Sequence, residues 1–107
     1  MYAKKAKLLL LVHPGEILKE EFLLPLGISA NQLAQALHVP ANRVTSILNG
    51  VRAITPDTAL RLGRYLGTSP EMWINLQKDY EMRKARRELA AGIKREVRPR
   101  RSARNAA

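Results

Sequence analysis

Apolar residues along this chain recur at helical rather than alternating spacing, in short blocks set apart by proline, glycine or a capping residue. From Ser29 to Gly50, SANQLAQALHVPANRVTSILNG, the pattern predicts two short helices joined by a tight turn. Ser29 with Gln32 three residues on fits a capping box, so a helix starts there. Leu33, Ala34 and Leu37 share one side of it, small Ala34 leaves room for a close crossing, and the helix should stop near His38. A second helix begins around Pro40, tolerated in a first turn because its missing N–H would find no partner there anyway. Val44, Ile47 and Leu48 form its apolar side, while Asn42, Arg43, Thr45, Ser46 and Asn49 fall on the other, and Asn49-Gly50 ends it. Any amphipathic helix pair in a small bundle shares this apolar spacing, with its polar face merely solvated. The ordered set of box, small residue, short turn, polar second helix and Asn-Gly stop is instead that of a helix-turn-helix that lays its second helix in a DNA major groove.

Three more helices complete the body. The first is expected from Pro14 or Gly15 to Leu23, with Ile17, Leu18 and Phe22 inward, Glu16, Lys19, Glu20 and Glu21 mostly outward, and Pro25-Leu26-Gly27 breaking it. Thr55-Pro56-Asp57 supplies a capping hydroxyl, a first-turn proline and a carboxylate at the positive end of the helix dipole. Ala59, Leu62, Gly63 and Leu66 then face the core, and Gly67 ends this fourth helix. Ser69-Pro70-Glu71 repeats the start signal for a fifth helix carrying Met72, Trp73, Ile74, Leu76 and Tyr80, with room to continue through Arg83 and Leu89 toward Gly92. The expected fold is therefore all-α, a compact five-helix domain over residues 13–82 preceded by an arm at 1–12 and followed by a basic extension at 83–107.

Charge changes the picture at that extension. Of the net +10 at pH 7, residues 83–107 hold ten Lys or Arg against Glu88 and Glu96, whereas residues 1–82 hold nine basic and seven acidic residues. The body is nearly neutral and the tail is the footprint of a polyanion partner, since neutralising phosphates releases condensed counterions. A solubilising extension that binds nothing in particular would have the same composition. Arg98 to Ser102 offers no apolar surface to bury, so disorder after about residue 97 is expected either way.

The 107 residues contain no cysteine, so neither a disulfide nor a thiolate metal site holds the fold, and a reducing compartment suits it. Lys4-Lys5 followed by Leu8 to Val12 has the order of a signal peptide but too short an apolar run and no cleavage site, so secretion is not expected. No run reaches the ~20 apolar residues of a membrane span. His13 and His38 stand 25 positions apart without the spacing of a metal site or a catalytic pair, and no glycine-rich phosphate loop is present. An enzyme, a metal and a cofactor are accordingly not expected.

Four blocks carry a further signal: His13-Pro14-Gly15-Glu16-Ile17-Leu18, Pro25-Leu26-Gly27-Ile28-Ser29, Ile54 to Leu62 (ITPDTALRL) and Gly67 to Gln77 (GTSPEMWINLQ). With the helix-turn-helix, which resembles that of phage repressors, these blocks over residues 13–80 resemble the HigA family of toxin-antitoxin antidotes. The resemblance implies a repressor-like fold in a cytoplasmic, nucleoid-associated bacterial protein. It implies a protein that represses its own operon and neutralises a HigB-type toxin, an mRNA-cleaving endoribonuclease. Phage-type repressors often carry Gly in the turn at positive φ. His38 holds that region here, and His is among the residues that tolerate it.

Asn42, Arg43, Thr45 and Ser46 are the candidates for base reading, since an amide can pair with adenine, a guanidinium with guanine and a hydroxyl with either. Asn49 and Arg52 are the candidates for phosphate. One recognition helix reads only a few base pairs, so a homodimer on a palindromic operator is expected, with Trp73, Ile74 and Leu76 as interface candidates; the same aromatics could simply complete the core. For the toxin the candidates are the apolar arm, Leu9 and Leu11, which could equally pack on its own domain, and an acidic face at Glu20 and Glu21. Two other classes fit the residues: a stand-alone phage-type repressor, and an RNA-associated protein working through its basic tail. A small basic protein encoded immediately upstream in the same operon would favour the antitoxin.

Overall fold

The computed structural model describes residues 11–100, which contain five helices and no strand. Helix α1 starts as Pro14–Ile17, widens to a π-helical register over Leu18–Leu23 and closes as Leu24–Leu26. The others are α2 (Ala30–Leu37), α3 (Ala41–Leu48), α4 (Pro56–Leu66) and α5 (Pro70–Glu96). Caps set most of these bounds. The Ser29 hydroxyl accepts from the Gln32 N–H at 3.1 Å while the Gln32 side chain accepts from the Ser29 N–H at 2.8 Å, the reciprocal box that the sequence predicts. Thr55 and Ser69 cap α4 and α5 in the same way through the N–H groups of Thr58 and Met72.

Two boundaries differ from expectation. Helix α1 does not break at Pro25; it runs on to Leu26 and ends at Gly27, whose φ is 66°. The wide register upstream, with Leu24 N–H donating to Lys19 C=O, precedes a residue that has no N–H to give the ladder. Pro40 is the cap of α3 rather than its first residue.

The core is one cluster to which every helix contributes: Leu18 and Leu23 from α1, Leu33 and Leu37 from α2, Val44 and Ile47 from α3, Ala59 and Leu62 from α4, and Trp73 from α5. Trp73 is the centre of it. Its side chain is fully buried, its indole N–H donates to Thr68 Oγ1 at 2.8 Å, and its ring lies 5.3 Å from that of Phe22. Burying an aromatic of this size with its one polar group satisfied is a large favourable term. Helix α5 then leaves the body. Beyond Tyr80 every described residue except Ala85 and Gly92 is exposed, and the molecule is 54 Å long against 29 and 22 Å in the other directions. The helix passes unbroken through residues 82 and 83, where the composition turns basic, and ends at Glu96.

Candidate nucleic-acid interface

The turn between α2 and α3 is made by His38, the one non-glycine among the described residues with positive φ, at 58°. His38 N–H donates to Gln35 C=O and Val39 N–H to Ala34 C=O, so the turn closes the end of α2 on its own carbonyls. It aims α3 so that Val44 and Ile47 enter the core and Asn42, Thr45 and Asn49 remain exposed, with Arg43 and Ser46 half-buried. This is the division that the sequence predicts. Thr45 has a further constraint, because its hydroxyl lies 3.4 Å from Ala41 C=O and 3.3 Å from Asn42 C=O and donates back into its own helix. Its outward offer is a methyl group and acceptor lone pairs. Ser46 C=O accepts from both Val51 and Arg52 N–H, folding the chain back after α3.

Charge gathers along one side of α3. Arg43 and Arg52 line an open cleft of about 610 Å³ together with Arg61, Thr55, Thr58 and Asp57. Within it Arg43 Nη1 donates to Asp57 Oδ2 at 2.8 Å, and Arg61 Nε donates to the same oxygen at 3.0 Å. Arg61 Nη1 also donates to Leu37 C=O at 2.8 Å, placing a cation at the negative end of α2, which has no basic residue of its own in its last turn. The hydrogen bond from Arg61, followed by that from Arg43, holds the Asp57 carboxyl below its ordinary range. Sequence reasoning assigned Asp57 only to the helix dipole and gave Arg61 no role. The four-residue spacing of Asp57 and Arg61 was a visible signal for that pair, whereas nothing in the spacing of Arg43 and Asp57 announced theirs.

The C-terminal end of α3 is fastened by packing. Gly15 lies so close that a Cβ there would sit 1.8 Å from Ile47 C=O, so only glycine fits. His13 Nδ1 accepts from Gly15 N–H at 2.9 Å, starting α1, and its ring meets Tyr80 edge-on at 5.0 Å. Burial pushes the His13 imidazole below its ordinary value, partly offset by a hydrogen bond at the Arg52 backbone and by the Glu81 charge. Buried Gln77 accepts from Ile54 N–H at 2.9 Å and donates to Glu81 at 3.0 Å, tying the loop after α3 to α5.

Trp73 requires correction as an interface residue. It is wholly buried within its own chain, so no surface of it remains for a second copy. Ile74 and Leu76 are half-buried against the same core. Glu20 and Glu21, expected to face mostly outward, are half-buried, as is Leu11, while Leu9 lies outside the described residues. Among the described residues no group of three His, Asp or Glu side chains could hold a metal, and no helix is long and apolar enough to cross a membrane.

Residues 18–73 match the family model described as helix-turn-helix. The chain is 53% identical to an addiction module antidote protein of the HigA family from Coxiella burnetii, with a TM-score of 0.77 over 83% of this chain and 97% of that one. It belongs to the HigA family. Pseudomonas aeruginosa antitoxin HigA, solved with the higBA promoter, is 44% identical, with a TM-score of 0.80 over 82% of this chain and 96% of that one. Virulence-associated protein I of Dichelobacter nodosus is 51% identical over 74 residues, 69% of this chain and 68% of that relative. Each of these matches leaves part of this HigA-family chain uncovered.

Proposed function

We propose that this chain is the DNA-binding antitoxin of a HigBA-type module, a cytoplasmic protein that represses its own operon as a dimer on a palindromic operator and neutralises an mRNA-cleaving HigB-type toxin. The observation that carries the reading is the face of α3, where Asn42, Arg43, Thr45 and Ser46 stand beside a cleft of three arginines. It is supported by the 44% identical Pseudomonas HigA solved on promoter DNA. Base edges are read by Asn42, Arg43, Thr45 and Ser46, and phosphates are held by Asn49 and Arg52. The exposed cations of α5, Lys84, Arg86, Arg87, Lys94 and Arg95, add affinity without sequence preference, together with the arginines after residue 97. The dimer forms through surfaces that include Ile74 and Leu76. Toxin is taken up by the arm, including Leu9 and Leu11, and the face of α1 at Glu20 and Glu21, which leaves α3 free for DNA.

Two measurements test this. The chain should shift a duplex from the promoter region upstream of the operon that encodes it and its neighbour at salt concentrations where a random duplex stays free. Co-expressed with the small basic protein encoded beside it, it should purify as a complex and relieve that protein's toxicity. Operator preference without toxin capture would leave a repressor alone, and the absence of both would remove the reading.

A further inference from the structure

The Asp57 carboxylate occupies a position that a DNA-binding surface does not obviously need. It puts a negative charge in a cleft whose other charged side chains are Arg43, Arg52 and Arg61, where phosphate would be drawn. One oxygen accepts from two guanidinium groups at once, Arg43 on α3 and Arg61 on its own helix. Their roles differ. Arg61 has a second anchor at Leu37 C=O and remains held if the carboxylate is lost. No hydrogen bond of the Arg43 side chain other than that to Asp57 is seen among the described residues, and the side chain is 30% exposed at the rim of the cleft.

We infer that Asp57 is a specificity-determining residue of the DNA interface, a positioning group that presents Arg43 to a base edge and denies the arginine cleft to phosphates that arrive without the matching base. The inference rests on the DNA-reading function proposed above. Two physical effects combine. An arginine held at Nη1 keeps Nη2 and Nε free for a planar, two-bond contact with a purine edge, and the rotamer freedom that such a contact would cost is already lost in the free protein. A fixed carboxylate beside it weakens attraction of a bare backbone, because like charges are brought together wherever base contact does not compensate.

The test compares the full chain and its Asp57→Asn variant on two probes, a duplex enriched by the wild-type chain from a randomised pool and a scrambled duplex of the same length. With Asp57→Asn the ratio of the two affinities should fall roughly tenfold, within the range that one arginine–guanine contact commands. On the scrambled duplex the slope of log affinity against log salt should steepen by up to about 0.9, one additional phosphate contact. Arg61→Gln, which removes a cleft cation but keeps the carboxylate beside Arg43, should weaken binding to both duplexes and lower the ratio less than Asp57→Asn does. In an Arg43→Gln background, Asp57→Asn should lower the ratio clearly less, since only the exclusion of phosphate from Arg52 and Arg61 is then left to lose. Should Asp57→Asn disturb folding at the start of α4, Asp57→Ser keeps a helix-starting side chain without the charge and should behave alike. An unchanged ratio in both variants, or an equal fall when Arg43 is already absent, would overturn the inference. If the wild-type chain enriches no duplex at all, the DNA-reading function itself fails, a result distinct from either.

Discussion

The two ends of α3 are held by opposite means. At its C-terminal end Gly15 presses against Ile47, and beyond it Gln77 pairs a buried loop N–H and His13 packs on half-buried Tyr80, so this end is held by close packing. At its N-terminal end Arg43 is tied through Asp57 to Arg61 and thence to the end of α2, with both carboxylate and guanidinium groups open to solvent. Exposed ion pairs are worth little in folding and exchange readily with other ions. The difference teaches where a reading helix can adjust: its tail is set by the core, its head by charges that a phosphate or a base can replace.

Crowding the packed end should have the largest effect. Gly15→Ala places a methyl where Ile47 C=O already is, and should destabilise the fold by about 3 kcal/mol, the upper part of the range for overpacking, seen as a lowered denaturation midpoint. A midpoint unchanged by this substitution would mean that α1 and α3 separate freely, and the contrast between the ends would collapse. Gln77→Leu is next. It removes the acceptor from Ile54 N–H and should cost about 1–3 kcal/mol, the penalty of a buried donor left unpaired, again read by denaturation.

Arg43→Ala sharpens the contrast from the other side. Folding stability should change by less than ~1 kcal/mol, as for an exposed pair, while operator affinity falls by about 1–3 kcal/mol and preference relaxes at one base position. Arg52→Ala should weaken operator and random duplex alike. If Arg43→Ala lowered the denaturation midpoint as much as Gln77→Leu, the charged end would be a structural clasp rather than an adjustable one.

The smallest effect expected is on pH. Because the folded chain lowers the affinity of His13 for a proton, the unfolded chain takes up that proton first as pH falls. Stability from this group is full above its ordinary value of 6.5 and is lost as pH drops below it. His13→Asn retains a capping acceptor without the titration. Its denaturation midpoint should therefore fall less than that of the parent between about pH 7.5 and about pH 5.5.

Much of the fold was legible residue by residue. Caps at Ser29, Thr55 and Ser69, the stop at Gly67 and the inward Leu33, Leu37, Val44, Ile47 and Leu62 are all where the pattern puts them. The polar face of α3 was legible for the same reason, since a helix of known start assigns every side chain a direction. Pro25 was misread because a proline signals a break, whereas here it falls inside the last turn before Gly27. Trp73 was legible as a large apolar residue, but an aromatic that closes its own core and one that waits for a partner have the same spacing.

What the sequence determined by itself was thus local: the capped starts of α2, α4 and α5, the stop of α4 at Gly67, which side of each helix is apolar, and a left-handed turn at His38. Those features depend on backbone groups within four residues of one another, and short-range hydrogen bonding and sterics settle them. The tertiary structure alone decided which distant groups meet. Arg43 finds Asp57 fourteen residues away, Arg61 reaches Leu37, Gly15 meets Ile47, and Gln77 reaches Ile54. Such pairings follow from the angles at which five helices cross over one shared core, and those angles are set by the packing of all its side chains together.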